Sequence, residues 1–334
     1  MSLLALLAVA CGDGPQDSAG ALQSRCSSCH VEQAMRHSVS RHAQAARSEV
    51  FVALRARAQQ AWSAATFCDG CHRPVGGTDD GLGCLTCHAS TGNLGRGDGA
   101  LLLSPDGPVQ AGLPSGRAPH SVGGTGFISS ADLCGTCHEV QGPGPFRESP
   151  FTHWQKSPAG QRNQPCQSCH MPKDGRRVTE HRPRGLLAGA DDEVQQWLAE
   201  AVDLELRREA DDRVVVRITS RLQGHMLPDG ASFLRALWLD VRADGAVLDG
   251  RRWLSARLFR GAQEVVLPTE ADRAESRGLL PGASREERFA VPAGRAITAC
   301  LRFQRYRPDL LAALGLSLSL AGPEILVRCT PAPE

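Results

Sequence analysis

The C-terminal part of the chain alternates apolar and charged residues with the period of a β-strand. In residues 202–206 valine and leucine alternate with acidic residues, and in residues 213–219 valine and isoleucine follow the same two-residue period. A polar EADD segment separates the two runs, so the pattern predicts a β-hairpin. Further strand-like runs lie at 233–242, 251–260, 263–267, 285–291, 296–305 and 324–329. Their spacing predicts an antiparallel β-sandwich of about seven or eight strands, with short helices at 191–199 and 308–314.

The N-terminal part has a different pattern. Residues 31–66 contain no glycine or proline and are rich in alanine, arginine and glutamine. They are expected to be mostly helical, with a break near Ser38–Ser40. Residues 90–130 are rich in glycine and proline and show no clear period, which predicts a loop. Aliphatic side chains are few between residues 20 and 180, so another group is needed to fill the interior of this half.

One short string recurs through this aliphatic-poor region. The pattern C-x-x-C-H occurs five times, at Cys26/Cys29/His30, Cys68/Cys71/His72, Cys84/Cys87/His88, Cys134/Cys137/His138 and Cys166/Cys169/His170. We number these motifs one to five. A C-x-x-C pair can also belong to a zinc site, a redox dithiol or a disulfide framework, but none of these requires the adjoining histidine. Histidine is 11 of 334 residues, so five such neighbours by chance have a probability on the order of 10⁻⁸.

The motif therefore predicts five covalently bound haem c groups. In each motif the two thiols attach the porphyrin and the histidine is the proximal iron ligand. The predicted fold class is α+β multidomain: an irregular, mostly helical and loop pentahaem cytochrome c domain at 25–190, followed by the antiparallel β-sandwich at 191–334.

Five haems with two axial ligands each need five further ligands. Six other histidines are present: His37, His42, His120, His153, His181 and His225. His37 and His42 are five positions apart and point in different directions on a helix, so they cannot easily serve the same iron. Met35, Met171 and Met226 are alternative ligands, although Met171 directly follows a motif histidine and is better suited to packing against the ring edge.

Several strings around the motifs resemble those of a known family. They are EQ…His37-x-x-Ser40-x-His42, CDGCHRPVGGTDDGLGCLTCH, APH…LCGTCHEV, Trp154-x-x-Ser157…CQSCHMP and GHMLPDG. Together they are similar to a bacterial multihaem cytochrome c family, the superfamily of hydroxylamine oxidoreductase and its tetrahaem electron-acceptor cytochrome. The similarity covers most of residues 25–230.

The resemblance assigns roles to individual histidines. In that family a W-x-x-S-x-H segment supplies a distal ligand, which favours His42 over His37. In the second copy of this segment Ala159 occupies the histidine position, so either His153 substitutes or one haem has an open or differently liganded face. The GHMLPDG string implies that His225 reaches a haem of the preceding domain. Together with His120 and His181 from the count of free histidines, the distal ligands expected are His42, His120, His153, His181 and His225.

The first 24 residues predict export. Residues 1–11 combine a short apolar run with Val9-Ala10 before Cys11, which resembles a signal peptide with an imperfect lipobox, and residues 12–24 have the composition of a flexible tether. We expect a bacterial periplasmic, outer-membrane or cell-surface location, with lipid on Cys11 as a membrane attachment. An ordinary secretory signal with an incidental cysteine is the alternative.

Cys300 and Cys329 are the remaining cysteines, one on each of two predicted strands. In an oxidising compartment they form either a disulfide or two buried free thiols. The apo chain is nearly neutral, with 37 basic and 36 acidic residues, so nothing indicates nucleic acid as a partner. Haem propionates would make the loaded protein more acidic.

These features favour an electron-transfer protein whose partners are redox proteins, either other cytochromes or a quinol-linked donor. The alternative is a multihaem reductase or oxidase with one open-faced haem that acts on a small nitrogen or sulfur compound. Against it, no motif is C-x-x-C-K, and the single tyrosine, Tyr306, lies far from the motifs in sequence. A third hypothesis gives the β-sandwich a docking role, by analogy of fold alone.

Overall fold

Short helices joined by irregular segments form the N-terminal part of the protein. A computed structural model describes residues 25–75, 81–111, 118–124, 126–176, 178–248 and 250–331. The helices here are α1 (Val31–Ser38), α2 (Glu49–Trp62), α3 (Ala65–His72), α4 (Cys84–His88), α5 (Ala131–Gly135), α6 (Pro150–Lys156), α7 (Pro158–Gln161) and α8 (Gln167–His170). The predicted signal peptide and tether lie outside the described residues.

The predicted helical segment is broken where the sequence indicates. Helix α1 ends at Ser38, and turns occupy residues 39–47 before α2 begins. Helix α2 ends where Ser63 adopts a left-handed conformation with φ 53°, a common way for a helix to stop.

The prediction that residues 90–130 are only loop is wrong in part. Two short strand pairs lie there, too brief to give a periodic pattern. A third pair follows the fourth motif. The strands are β1 (Ser90–Asn93) with β2 (Leu101–Leu103), β3 (Val109–Gln110) with β4 (Val122–Gly123), and β5 (Val140–Gln141) with β6 (Arg147–Glu148).

The C-terminal part is dominated by antiparallel strands. They are β7 (Val202–Ala210), β8 (Arg213–Ser220), β9 (Ala236–Ala243), β10 (Ala246–Val247), β11 (Arg252–Trp253), β12 (Arg257–Arg260), β13 (Gln263–Val265), β14 (Arg273–Glu275), β15 (Ser284–Ala290), β16 (Ile297–Gln304) and β17 (Ile325–Pro331). Helices α9 (Asp191–Ala201) and α10 (Pro308–Leu314) accompany them, at the predicted places. The protein is thus an α+β protein.

Three sheets organise these strands. The largest has the order β10-β9-β16-β17 with β11 also paired to β9, and two three-stranded sheets have the orders β15-β8-β7 and β13-β12-β14. The predicted hairpin is confirmed, since β7 and β8 pair with Leu204 opposite Ile218. The predicted single run at 251–260 is wrong, because it splits into β11 and β12, which belong to different sheets.

One apolar core joins two of the sheets. Alternate residues of β7 and β8 face alternate residues of β9, β16 and β17, and Val194 and Leu198 of α9 cover one side. Where the sequence predicts a β-sandwich, the structure shows two antiparallel sheets with a shared interior. Cys300 and Cys329 lie directly opposite each other on β16 and β17 and form a disulfide, so of the two alternatives the bridge is the one observed.

The N-terminal part lacks such a core. Its described buried apolar side chains are mostly alanines, with Val50, Val140 and Phe151 as the larger ones. Val50 of α2 packs with Tyr306 and Leu311 of the C-terminal part, which joins the two parts. Within the described ranges no helix is both long and apolar enough to cross a bilayer.

Candidate haem-binding sites

The motif residues lie on or beside short helices, which gives each motif the same local geometry. Helices α3, α4 and α8 each end at the motif histidine. Cysteines three positions apart lie on the same side of a helix, so both thiols of a motif can reach one porphyrin edge while the histidine follows directly. None of the ten motif cysteines forms a disulfide within the described residues, so all ten sulfur atoms are available to porphyrins.

Four of the five motif histidines face a second histidine that lies elsewhere in the sequence. The ring centroids of His30 and His120 are 6.4 Å apart, and those of His42 and His138 are 6.2 Å apart. The centroids of His88 and His181 are 6.4 Å apart, and those of His170 and His225 are 6.0 Å apart. Each pair thus combines one motif histidine with one of the predicted distal histidines.

This separation fits an iron between the two rings. Two imidazoles that bind one metal ion from opposite sides at about 2.0 Å place their centroids roughly 6 Å apart. Direct stacking would bring the rings much closer, as Phe51 and His72 show with centroids 3.8 Å apart. Within the described residues no three or more His, Cys, Asp or Glu side chains are grouped so that they could hold a metal ion.

Hydrogen bonds orient most of these histidines for metal binding through Nε2. His72, His88 and His170 each donate Nδ1–H to a backbone carbonyl, those of Ala45, Gln110 and Arg184, at 3.0, 2.7 and 2.7 Å. Three of the distal histidines make the same kind of hydrogen bond from Nδ1–H to a backbone carbonyl. His120 donates to Ser121, His181 to Thr179 and His225 to Met226. Metal-binding histidines commonly use this second hydrogen bond to fix tautomer and ring direction.

In the pair His42–His138 the pKa of both rings is lowered. Burial lowers the pKa of His42 to about 3 and that of His138 to about 4. Both rings are therefore neutral at physiological pH, which is the form that binds a metal. In the first pair the motif member, His30, is exposed.

The second motif differs from the others. The ring of His72 stacks on Phe51 of α2 with an interplanar angle of 10°. Among the described residues His72 makes no ring contact with a histidine. Nδ1 of His72 donates a hydrogen bond to the Ala45 carbonyl, so Nε2 remains available to bind iron.

The two remaining histidines are held by other contacts. His37 uses Nε2 in a hydrogen bond of 2.8 Å to the Leu82 carbonyl, so its usual metal-binding nitrogen is engaged. The resemblance favours His42 over His37, and the structure places the His42 ring centroid 6.2 Å from that of His138. His153, predicted as a distal ligand, donates Nδ1–H to Asp229 at 2.7 Å, which raises its pKa. Its assignment to an iron stays a prediction.

The surroundings of Met35 and Met226 do not support either residue as an iron ligand. Met35 is 67% exposed, and the Met226 sulfur accepts a hydrogen bond of 3.3 Å from Ser276.

Contacts between thiols show which motifs are neighbours. Cys26 of motif one contacts Cys84 of motif three. Cys87 of motif three is close enough to Cys134 of motif four for its charge to raise the pKa of Cys134. Cys134 also contacts Cys166 of motif five. Cys137 of motif four contacts Cys71 of motif two. The motifs therefore follow the order one, three, four, five, with motif two beside motif four.

Three partly buried charged side chains near the motifs, Asp229, Glu148 and Arg235, are absent from the sequence-based candidates. Asp229 accepts hydrogen bonds from His153 and from the Met226 backbone N–H. Burial raises the pKa of Glu148 to about 7, and the nearby Arg235 donates Nη1–H to the Asp229 carbonyl at 3.2 Å. Glu148 and Arg235 lie in no motif that the sequence analysis singles out. Asp229 lies in the GHMLPDG string, so it could have been noticed from the sequence.

Comparison with known proteins finds a likeness of fold. No protein-family model and no curated protein matches the sequence. A solved structure does match: the penta-heme cytochrome c552 from Thermochromatium tepidum, with a TM-score of 0.72 and 20% sequence identity over 93% of this chain and 98% of that chain. The chain therefore has the fold of a penta-heme cytochrome c.

Proposed function

We propose that this protein is a multihaem c-type cytochrome that carries electrons through five covalently bound haem c groups. The observation that carries the proposal is the set of four facing histidine pairs, each with centroids 6.0 to 6.4 Å apart and one member in a C-x-x-C-H motif. The shared fold with a penta-heme cytochrome supports it.

The chain's own residues would hold the cofactor in three ways. The ten motif thiols anchor the porphyrins, the histidine pairs bind the iron from both faces, and the carbonyl acceptors keep the imidazoles in place. Haem iron, when bound, supplies reversible one-electron transfer, and its potential depends on axial ligands, burial and hydrogen bonds. Because both ligands of a pair are fixed by the fold, a change of oxidation state needs little rearrangement of the protein.

The order of the motifs suggests where electrons enter and leave. The second cysteine of motif one, Cys29, and that of motif five, Cys169, are exposed, whereas the second cysteines of motifs two, three and four are partly buried. Motifs one and five lie at opposite ends of the order one, three, four, five. We therefore assign contact with redox partner proteins, other cytochromes or a quinol-linked donor, to these two ends.

Export and membrane attachment belong to the same proposal. Covalent haem attachment in bacteria takes place outside the cytoplasm, and residues 1–11 have the composition of a signal peptide. A lipid on Cys11 would tether the cytochrome to a membrane through residues 12–24.

Reductive titration of the purified protein tests the electron-transfer proposal. The holoprotein should take up five electrons per chain from dithionite, with absorption spectra of mainly low-spin haem in both oxidation states. Uptake of fewer than five electrons, or mainly high-spin spectra, would overturn the proposal.

A second candidate function has one observation in its favour. His72 is the motif histidine without a facing histidine among the described residues, so the second haem has the feature that a reductase or oxidase of small nitrogen or sulfur compounds requires. Tyr306, although remote from the motifs in sequence, packs against Val50, next to the Phe51 that stacks on His72. This candidate is compatible with electron transfer through the other motifs.

A further inference from the structure

Arg235 lies where the two parts of the protein meet. It directly precedes β9 and donates Nη1–H to the Asp229 carbonyl at 3.2 Å. Burial lowers the pKa of His138, the histidine of motif four, and the positive charge of Arg235 lowers it further. A guanidinium from the C-terminal part therefore lies near the imidazole of motif four.

One edge of this guanidinium has no partner among the described residues. Nε of Arg235 is shielded from solvent without a hydrogen bond, and Nη2 donates none there either. Arg55 uses the same Nε–Nη2 edge to hold Asp69, with an Nε–Oδ1 distance of 2.7 Å. Arg307 holds Asp309 in the same way, at 3.0 Å. Two parallel N–H donors match the two oxygens of a carboxylate.

The two carboxylates near Arg235 do not fill this edge. Asp229 uses Oδ2 to accept hydrogen bonds from His153 and from the Met226 backbone N–H, and its other oxygen accepts a backbone N–H. Within the described residues Glu148 forms no ion pair with Arg235, and burial raises the pKa of Glu148 to about 7. Burial also lowers the pKa of Arg235. A guanidinium shielded from water is unfavourable without a paired anion, so a further anion is expected at this edge.

We propose that the Nε–Nη2 edge of Arg235 binds a propionate carboxylate of the haem attached at Cys134 and Cys137. The inference rests on the proposed function, since it presupposes a haem at motif four, and it adds a contact from the C-terminal part to that haem. A haem propionate supplies the carboxylate that the described residues do not place here. The positive charge also favours the reduced form of this haem, because reduction lowers the charge of the iron by one.

A crystal structure of the holoprotein with five haems tests the inference directly. A propionate of the motif-four haem should lie within hydrogen-bond distance of both Nε and Nη2 of Arg235. An edge that is empty, or that is occupied by Glu148, by water or by a propionate of another haem, would overturn the inference and leave the proposed function standing. A purified protein with fewer than five covalent haems would instead refute the proposed function.

Redox titration followed by electron paramagnetic resonance measures the effect of the contact. Arg235→Gln removes the charge, so one haem in five should shift to a lower potential, and it should be the haem whose low-spin signal changes in His42→Ala. Arg235→Lys keeps the charge without the paired donors and should give a smaller shift. Arg242→Gln, on the same strand but engaged with Asp240, is the matched control and should shift none. Equal potentials in Arg235→Gln and the wild type would contradict the proposed contact.

Isotope labelling separates a propionate contact from a general effect of charge. Growth on aminolevulinate that carries ¹³C in its carboxyl group labels the carboxyl groups of the haems. In redox-difference infrared spectra of the labelled holoprotein, Arg235→Gln and Arg235→Lys should both shift the band of one propionate, and Arg242→Gln should shift none. A change of potential without a change in any labelled band would show that Arg235 acts by charge alone and would overturn the inference.

Discussion

At the scale of the residue, axial ligation depends on where each imidazole places its two nitrogens. His120, His181 and His225 each find an Nδ1 acceptor within two residues along the chain. The local loop conformation therefore orients the ring, and the fold only has to bring the loop to a motif. His37 shows the opposite arrangement, with Nε2 engaged by the Leu82 carbonyl.

The first prediction concerns one distal histidine. His181→Ala removes the ring that faces His88, so one further haem should become high spin, and the high-spin fraction should rise by one-fifth. Electron paramagnetic resonance and absorption spectroscopy of the ferric protein measure this.

His37→Ala is the matched control, because the same substitution removes a histidine whose Nε2 bonds a carbonyl. It should leave the spin state unchanged. Equal spectra for His181→Ala and the wild type would contradict the assignment of His181 to an iron.

The second prediction concerns Glu148. Burial raises its pKa in the folded state from 4.5 to about 7, so ionisation opposes folding. The penalty is absent below pH 4.5 and complete above pH 7, with a size of roughly 3 kcal/mol. Relative to Glu148→Gln, the wild type should lose unfolding free energy between pH 5 and pH 8.

Denaturant unfolding followed by circular dichroism at both pH values measures the difference. Glu205→Gln, on an exposed position of β7, is the control and should follow the wild type. A constant difference between the wild type and Glu148→Gln across this range would refute the prediction.

At the scale of the element, the two-residue period was sufficient to predict the long strands but not the short ones. Strands β7 and β8 each carry a buried apolar residue at alternate positions, and such a pattern is visible in sequence. The pairs β1–β2 and β3–β4 have two to four residues each and are held by backbone hydrogen bonds in a glycine-rich segment. No side-chain pattern predicts them.

The third prediction concerns the strand pair β16–β17. The disulfide joins residues 29 positions apart, so its removal in Cys300→Ala/Cys329→Ala should lower the unfolding free energy by about 3–4 kcal/mol on the chain-entropy model. Haem absorption should not change, because both cysteines lie outside the motifs.

Titration of thiols in the denatured, unreduced protein checks the bridge itself. Neither Cys300 nor Cys329 should react before reduction. Two reactive thiols from these positions would contradict the disulfide.

The fourth prediction concerns the packing of α2 on α10. Leu311 is fully buried beside Val50 and Tyr306, so Leu311→Ala should cost roughly 2–4 kcal/mol of unfolding free energy. Leu318→Ala, at a position 57% exposed, should cost less than about 0.5 kcal/mol. Equal losses for both variants, measured by denaturant unfolding, would show that the contact contributes little.

At the scale of the whole molecule, the motifs predict the cofactor, but the sequence does not show how the two parts meet. The pair His170–His225 and the His153–Asp229 ion pair both join residues of the N-terminal part to the loop after β8. The resemblance predicts that His225 reaches a haem, and the structure places its ring centroid 6.0 Å from that of His170. The partner of His42, His138, lies 96 positions away, and only the folded chain brings the two together.

The central claim is that ten thiols of the N-terminal part carry five porphyrins. Intact mass spectrometry of the denatured, exported protein, combined with the pyridine haemochrome assay, tests it most directly. We predict a mass that exceeds the mature polypeptide by five haem groups, all retained after denaturation. A mass with fewer haems, or haem that dissociates on denaturation, would contradict the account.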